Sequence, residues 1–125
     1  MQLLDLADAR FVSLTTFRKT GVPVSTPVWI ARDGDDLIVT TPAGAGKLKR
    51  LRNNPLVELR ECSRMGKVDD DAPVVTAAAS TEEETKRLVD AFTAKYRLEY
   101  RIMLGIEKLV SKGNAHRVII RISDR

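Results

Sequence analysis

Phe17-Arg18-Lys19-Thr20-Gly21-Val22-Pro23-Val24-Ser25-Thr26-Pro27-Val28-Trp29 is the stretch whose reading decides the fold. Arg18-Lys19-Thr20-Gly21 reads as a turn, because Gly21 is free to take positive φ. The β-branched residues after it predict a strand from Val22 to Ala31, interrupted by Pro23 and Pro27. Proline has no N–H to give to a ladder, so Pro27 implies a sheet edge, a bulge or a locally opened sheet. On the amino-terminal side, Phe11 to Phe17 is rich in β-branched and aromatic residues and predicts the preceding strand. On the other side, Asp33-Gly34 predicts a tight hairpin turn into a third strand, Leu37 to Thr41.

Further out the pattern continues. Leu3, Leu4 and Leu6 with Ala7 and Ala9 predict a short opening helix. A fourth strand is expected at Leu56 to Cys62. A fifth is expected at Val74 to Ala79, where Pro73, Val74 and Val75 favour a strand although Ala77-Ala78-Ala79 suits a helix equally. Thr81 followed by Glu84 has the spacing of a capping box. It predicts a helix running to about Lys95 that buries Leu88, Ala91 and Phe92. Ile102, Met103, Ile106, Leu109 and Val110 form one apolar face of a second helix, Leu98 to Lys112, closed by Gly113. Val118, Ile120 and Ile122 alternate with Arg117 and Arg121 in a last strand, His116 to Ile122. Short strands with tight turns favour a barrel or sandwich over a parallel sheet. The expected architecture is a mainly β single domain over residues 1–125, with six antiparallel strands and helices between the fifth and sixth.

Thr40-Thr41-Pro42-Ala43-Gly44-Ala45-Gly46-Lys47-Leu48-Lys49-Arg50-Leu51-Arg52 carries the most chemistry. Glycines let a backbone approach a ligand closely and point successive N–H groups at one spot. A helix starting near Lys47 adds its positive end, and Lys and Arg supply full charges for a phosphate. Hydroxyls on Thr40 and Thr41 are placed to donate to the same group. The stretch also fits a plain amphipathic helix, with Leu48 and Leu51 buried and Lys47, Lys49, Arg50 and Arg52 solvated. It has neither the spacing of a P-loop nor the third glycine of a dinucleotide fingerprint. Asn53-Asn54-Pro55 ends the helix.

The net charge of +4 over 125 residues points to acidic partners without identifying them. Aromatics are only 5% of the chain and are not interleaved with the basic residues, which argues against a nucleic-acid stacking platform. One His and one Cys exclude a zinc cluster of the usual type. Asp69-Asp70-Asp71 reads as a solvated loop, and no metal site is expected. No Ser-His-Asp set or carboxylate dyad is visible. No run approaches the roughly 20 apolar residues that span a bilayer. Met1 to Asp5 lacks an export signal, and the lone Cys62 suits a reducing compartment, so a cytoplasmic location without membrane association is expected.

Phe17 to Trp29, together with Gly46 to Pro55, resembles the pyridoxamine-phosphate-oxidase-like (PPOX class) split β-barrels, the FMN-binding split-barrel type. Leu14-Thr15-Thr16-Phe17-Arg18 and Lys95-Tyr96 extend the resemblance to the deazaflavin-dependent oxidoreductases of actinobacteria, which use coenzyme F420. The resemblance implies a homodimer with the cofactor site at the subunit interface. It implies hydride transfer between F420 and an unsaturated or conjugated small molecule. FMN is the alternative cofactor, and a non-catalytic flavin- or haem-type binding protein is the alternative role. By position, Pro27, Val28 and Trp29 would line the ring system, and Thr40 and Thr41 would approach the phosphate or ribityl portion. Ala45, Gly46, Lys47 and Arg50 would hold the phosphate, with Lys47 foremost and Leu48 in the same turn. Lys49 and Arg52 would meet an acidic polyglutamyl tail. Catalytic residues are not assigned.

Two departures point away from true pyridoxamine-phosphate oxidases, which carry an Arg and a Lys on the second strand and a Trp/Arg-rich tail. Here the strand reads Val24-Ser25-Thr26-Pro27-Val28-Trp29-Ile30, and the chain stops at Ser123-Asp124-Arg125. Tyr96 and Tyr100 are read as packing a helix on the barrel, with a pocket role as the alternative. His116 is read as structural.

Overall fold

The computed structural model of the chain describes residues 2–97 and 117–124. Where one strand is expected from Val22 to Ala31, the chain forms two: β2 (Pro23–Val28) and β3 (Ile30–Asp33), parted at Trp29. The other strands are β1 (Phe11–Phe17), β4 (Asp36–Pro42), β5 (Leu56–Cys62), β6 (Val75–Glu83) and β7 (Arg117–Ser123). The described residues therefore hold seven strands, not six. All pair antiparallel in one sheet of order β2-β1-β5-β6-β7-β4-β3. β2 and β3 lie at opposite edges of this sheet, yet only Trp29 separates them in the chain. The sheet must therefore curl until its two edges meet, which makes it a barrel opened along one seam. Pro23 and Pro27 sit on the edge strand β2, where a missing N–H does no harm.

Strand alternation fills the interior. Val12, Leu14, Val28, Leu37, Val39, Val57, Leu59, Ile120 and Ile122 point inward and are buried together. The opening segment is one turn of 3-10 helix, Leu3–Leu6, with Leu3 and Leu6 plugging this core. α1 (Gly46–Asn53) covers it through Leu48 and Leu51. Asn54 ends α1 by turning its side chain to the Leu56 N–H at 3.1 Å. A second apolar layer forms outside the barrel, where α2 (Lys86–Tyr96) sets Leu88, Phe92 and Tyr96 against Ala31, Ile38 and Ile119.

The capping box expected at Thr81 and Glu84 does not form. β6 runs on through Glu83, pairing Ser80 to Glu83 with Arg121 to Val118 of β7, and Thr85 caps α2 by accepting the Leu88 N–H at 3.5 Å. Ladder bonds, reinforced by an Arg121–Glu82 ion pair of 2.6 Å, outweigh a local cap. Arg121 also pairs with Asp33 at 2.8 Å and Asp36 at 3.1 Å, tying the β3–β4 turn to β7. The expected helix from Leu98 to Lys112, with Tyr100, Gly113 and His116, lies outside the described residues.

Lys95 and Tyr96 close the seam. The Lys95 ammonium donates to three backbone carbonyls: Ala7 at 2.7 Å, Ala9 at 2.6 Å and Ile30 at 2.7 Å. The Tyr96 hydroxyl accepts the Ile30 N–H at 3.0 Å and faces the carbonyls of Arg10 at 2.8 Å and Ile30 at 3.0 Å. Outward-facing groups of an edge strand are thereby satisfied by side chains instead of a neighbouring strand. Burial lowers the Lys95 pKa to about 8, with Asp8 opposing the shift and Arg10 adding to it, so at neutral pH all three donors are in place. Tyr96 is buried and packs helix on barrel, as its sequence reading expects.

Lys95→Met strands three carbonyl acceptors and is expected to cost about 2–4 kcal/mol in urea unfolding. Lys86→Met breaks only the exposed i,i+4 pair with Asp90 and is expected to change stability by less than about 0.5 kcal/mol. Equal effects at the two positions would remove the seam role of Lys95.

Candidate functional site

At the strand break Pro27, Val28 and Trp29 line a cavity of about 280 Å3. Its opposite wall comes from the end of β4 (Thr40, Thr41, Pro42), from Lys47 of α1 and from Arg117 of β7. Six of the residues expected at a cofactor site thus meet in one place: Pro27, Val28, Trp29, Thr40, Thr41 and Lys47.

The Trp29 ring is fixed from two sides. It stacks on Tyr96 at 4.5 Å between centroids with 19° between planes, and Phe11 meets it edge-on at 6.5 Å. Offset stacks and edge contacts of this kind stabilise by about 0.5–1.5 kcal/mol each beyond burial. The seam that holds Tyr96 therefore also holds Trp29.

Two cations reach the cavity from the other wall. Lys47 Nζ lies 3.5 Å from Thr41 Oγ1. The Arg117 Nε donates to Thr40 Oγ1 at 2.9 Å, and Arg117 is only 7% exposed. Arg50 stands behind Lys47, donating from Nε to Thr16 Oγ1 at 2.6 Å. Burial first, then the neighbouring charges of Arg50 and Arg117, lower the Lys47 pKa. Among the described residues no carboxylate forms an ion pair with Lys47 or Arg50. Ala45 is the amino-terminal cap of α1 and supplies no side-chain cap, and the first turn contains no acidic residue. Uncapped N–H groups and concentrated positive charge at a helix amino terminus favour an anion.

The remaining expected residues sit beside the cavity, outside its lining. Ala45 and Gly46 open α1, next to Lys47. Leu48 is 7% exposed and its side chain joins the core. Lys49 and Arg52 are exposed on the outer face of α1. Arg117 was not among the expected site residues. Alternation places it on the polar side of the last strand, but only the β4–β7 register, Pro42 opposite Arg117, brings it to Thr40.

A larger cavity of about 540 Å3 adjoins Cys62 and is lined by Glu61, Asp69, Asp71 and Lys67 among others. Its acidic lining opposes an anionic ligand, and burial together with Glu61 raises the Cys62 pKa, which disfavours the thiolate. No group of three His, Cys, Asp or Glu among the described residues suits a metal ion.

A family model described as pyridoxamine 5'-phosphate oxidase matches residues 3–123. No curated protein matches the sequence. Solved structures share the fold at low identity. An F420 reductase is 20% identical with a TM-score of 0.59, over 98% of this chain and 92% of its own. General Stress Protein 26 from Bacillus anthracis is 21% identical with a TM-score of 0.63, over 97% and 84%. The heme storage protein HutZ from Vibrio cholerae is 13% identical with a TM-score of 0.61, over 100% and 92%.

A base whose folded pKa is lowered binds fewer protons folded than unfolded. Between the lowered Lys47 pKa and its ordinary 10.5, stability rises with pH, and at neutral pH the charge is carried at a cost. Lys47→Met is therefore expected to leave the ligand-free protein at least as thermostable at pH 7 and to flatten the alkaline rise. Thermal unfolding in a buffer free of phosphate and sulfate checks this, and a clear fall in Tm at pH 7 overturns it.

Proposed function

This chain belongs to the pyridoxamine 5'-phosphate oxidase family, and from that premise we propose that it is a deazaflavin-dependent oxidoreductase using coenzyme F420. The observation that carries the reading is the pairing of two walls around one cavity. Trp29, Pro27 and Val28 form an apolar, aromatic side, while Lys47, Arg117, Thr40 and Thr41 form a cationic, hydroxyl-bearing side to which no carboxylate among the described residues contributes. A planar ring joined to a phosphate matches that division. Lys47, with Arg117, holds the phosphate, and the Thr40 and Thr41 hydroxyls orient it. Ala45 and Gly46 allow close approach to the start of α1, and Lys49 and Arg52 stand outside for an acidic tail.

Bound there, such a cofactor supplies hydride transfer to an unsaturated or conjugated small molecule, and the protein supplies position and electrostatics. The cavity walls agree with this division of labour, since among the described residues neither a carboxylate nor a histidine lines them. The same fact favours a second reading, in which the chain carries or senses a flavin-type ligand without turning over a substrate. FMN is the alternative cofactor.

The cavity's 280 Å3 falls at or below the roughly 300–1,000 Å3 of sites that enclose a drug-sized ligand. A ring system plus phosphate needs more wall than the described residues of one subunit provide, which agrees with a homodimer that has the site at its interface. Sedimentation equilibrium is expected to give a dimer mass at micromolar protein. A monomer that binds the cofactor with full affinity overturns the shared site.

Titration with F420 and with FMN, followed by fluorescence of the single Trp29, decides between cofactors. Quenching that saturates at micromolar F420 and at higher FMN is expected, and Lys47→Ala should weaken it about 10- to 100-fold. No response to either ligand overturns the reading. Oxidation of reduced F420 by a panel of enones and quinones separates the enzyme from the carrier.

A further inference from the structure

Arg50 occupies an electrostatically unfavourable place that two other residues create. It belongs to the last turn of α1, but its side chain runs back toward the helix amino terminus, as long side chains on helices do. There it adds a cation to the positive end of the helix, beside Lys47, with no acidic residue in the first turn. Thr16 of β1, only 1% exposed, accepts the Arg50 Nε–H at 2.6 Å. The two Nη groups stay available. Nη1 lies 2.9 Å from the point where a Cβ on Gly46 would stand, so any larger residue at 46 displaces the guanidinium.

We infer that Thr16 and Gly46 are positioning residues that hold the Arg50 guanidinium over the first turn of α1 as a further donor to the anionic group of the ligand. This rests on the reading of the site as a phosphate site. A buried hydroxyl without that function leaves the arrangement without a compensating interaction: Arg50 has no carboxylate partner among the described residues, and its charge opposes both the helix end and Lys47. A dianionic phosphate at the same spot reverses both repulsions. The sequence reads Thr16 as strand and Gly46 as part of a loop that approaches the ligand; the hold of both on Arg50 comes only from the fold.

Inorganic phosphate is the probe, read by the phosphate-dependent rise in Tm and by calorimetry, neither of which requires turnover. Thr16→Val keeps the shape of the side chain and removes the acceptor. It is expected to raise the phosphate dissociation constant about tenfold. Thr16→Ser, which restores the acceptor, should recover most of that. Gly46→Ala is expected to weaken phosphate by a similar factor without loss of ligand-free stability, because the backbone of Gly46 is not left-handed and alanine suits a helix. In an Arg50→Gln background neither substitution should weaken phosphate further, which separates positioning from a general structural effect. If the unaltered protein shows no phosphate-dependent shift, the phosphate-site reading falls and this inference with it. If it responds and both variants respond equally well, or if their effects persist without Arg50, only the positioning role is overturned.

Discussion

A lysine and a tyrosine at the end of one helix bridge the seam of this barrel, and the site depends on that bridge. The Lys95 ammonium binds carbonyls of Ala7, Ala9 and Ile30, while the Tyr96 hydroxyl binds both backbone groups of Ile30. Without these donors the outer edge of β3 would present unpaired groups where β1 begins. Closure is forced by topology, since β2 and β3 are sequence neighbours at opposite sheet edges. Its place is set by side chains. Tyr96 then fixes Trp29 by stacking, so the element that seals the seam also orients the aromatic wall of the cavity.

The opposite wall is built on a different principle. Leu48 and Leu51 anchor α1 to the core, and that apolar anchorage holds Lys47 and Arg50 in place against their mutual repulsion and that of Arg117. Donors held in position before a ligand arrives require little reorganisation when it binds. The Lys47 pKa is lowered first by the burial that this anchorage imposes and then by the charges of Arg50 and Arg117. An F420 reductase and a heme storage protein share this architecture, so the fold alone assigns no ligand. What distinguishes this chain is the set of side chains around its own cavity.

Much of this was legible locally. Gly21 and Gly34 do take positive φ at the two expected turns, Pro55 follows α1 as expected, and Leu48 and Leu51 are buried three residues apart. Thr40, Thr41 and Lys47 lie within one short stretch, so their proximity needs no long-range information. Pro27 announced an edge or an opening, and β2 is an edge strand. The opening itself falls two residues later, at Trp29, because it is set by where β1 stops pairing and β4 begins.

By itself the sequence determined the turns, the apolar faces and the cationic loop-helix, because each depends on backbone preference or periodicity over a few residues. The tertiary structure alone decided the seventh strand, the extension of β6 over the Thr81 capping signal, the arrival of Arg117 at Thr40 and the bond from Arg50 to Thr16. Each of these follows from the register of strands distant in sequence or from a side chain crossing between elements. Pairing energy of that kind outweighs local preference, and no window along the chain contains both partners.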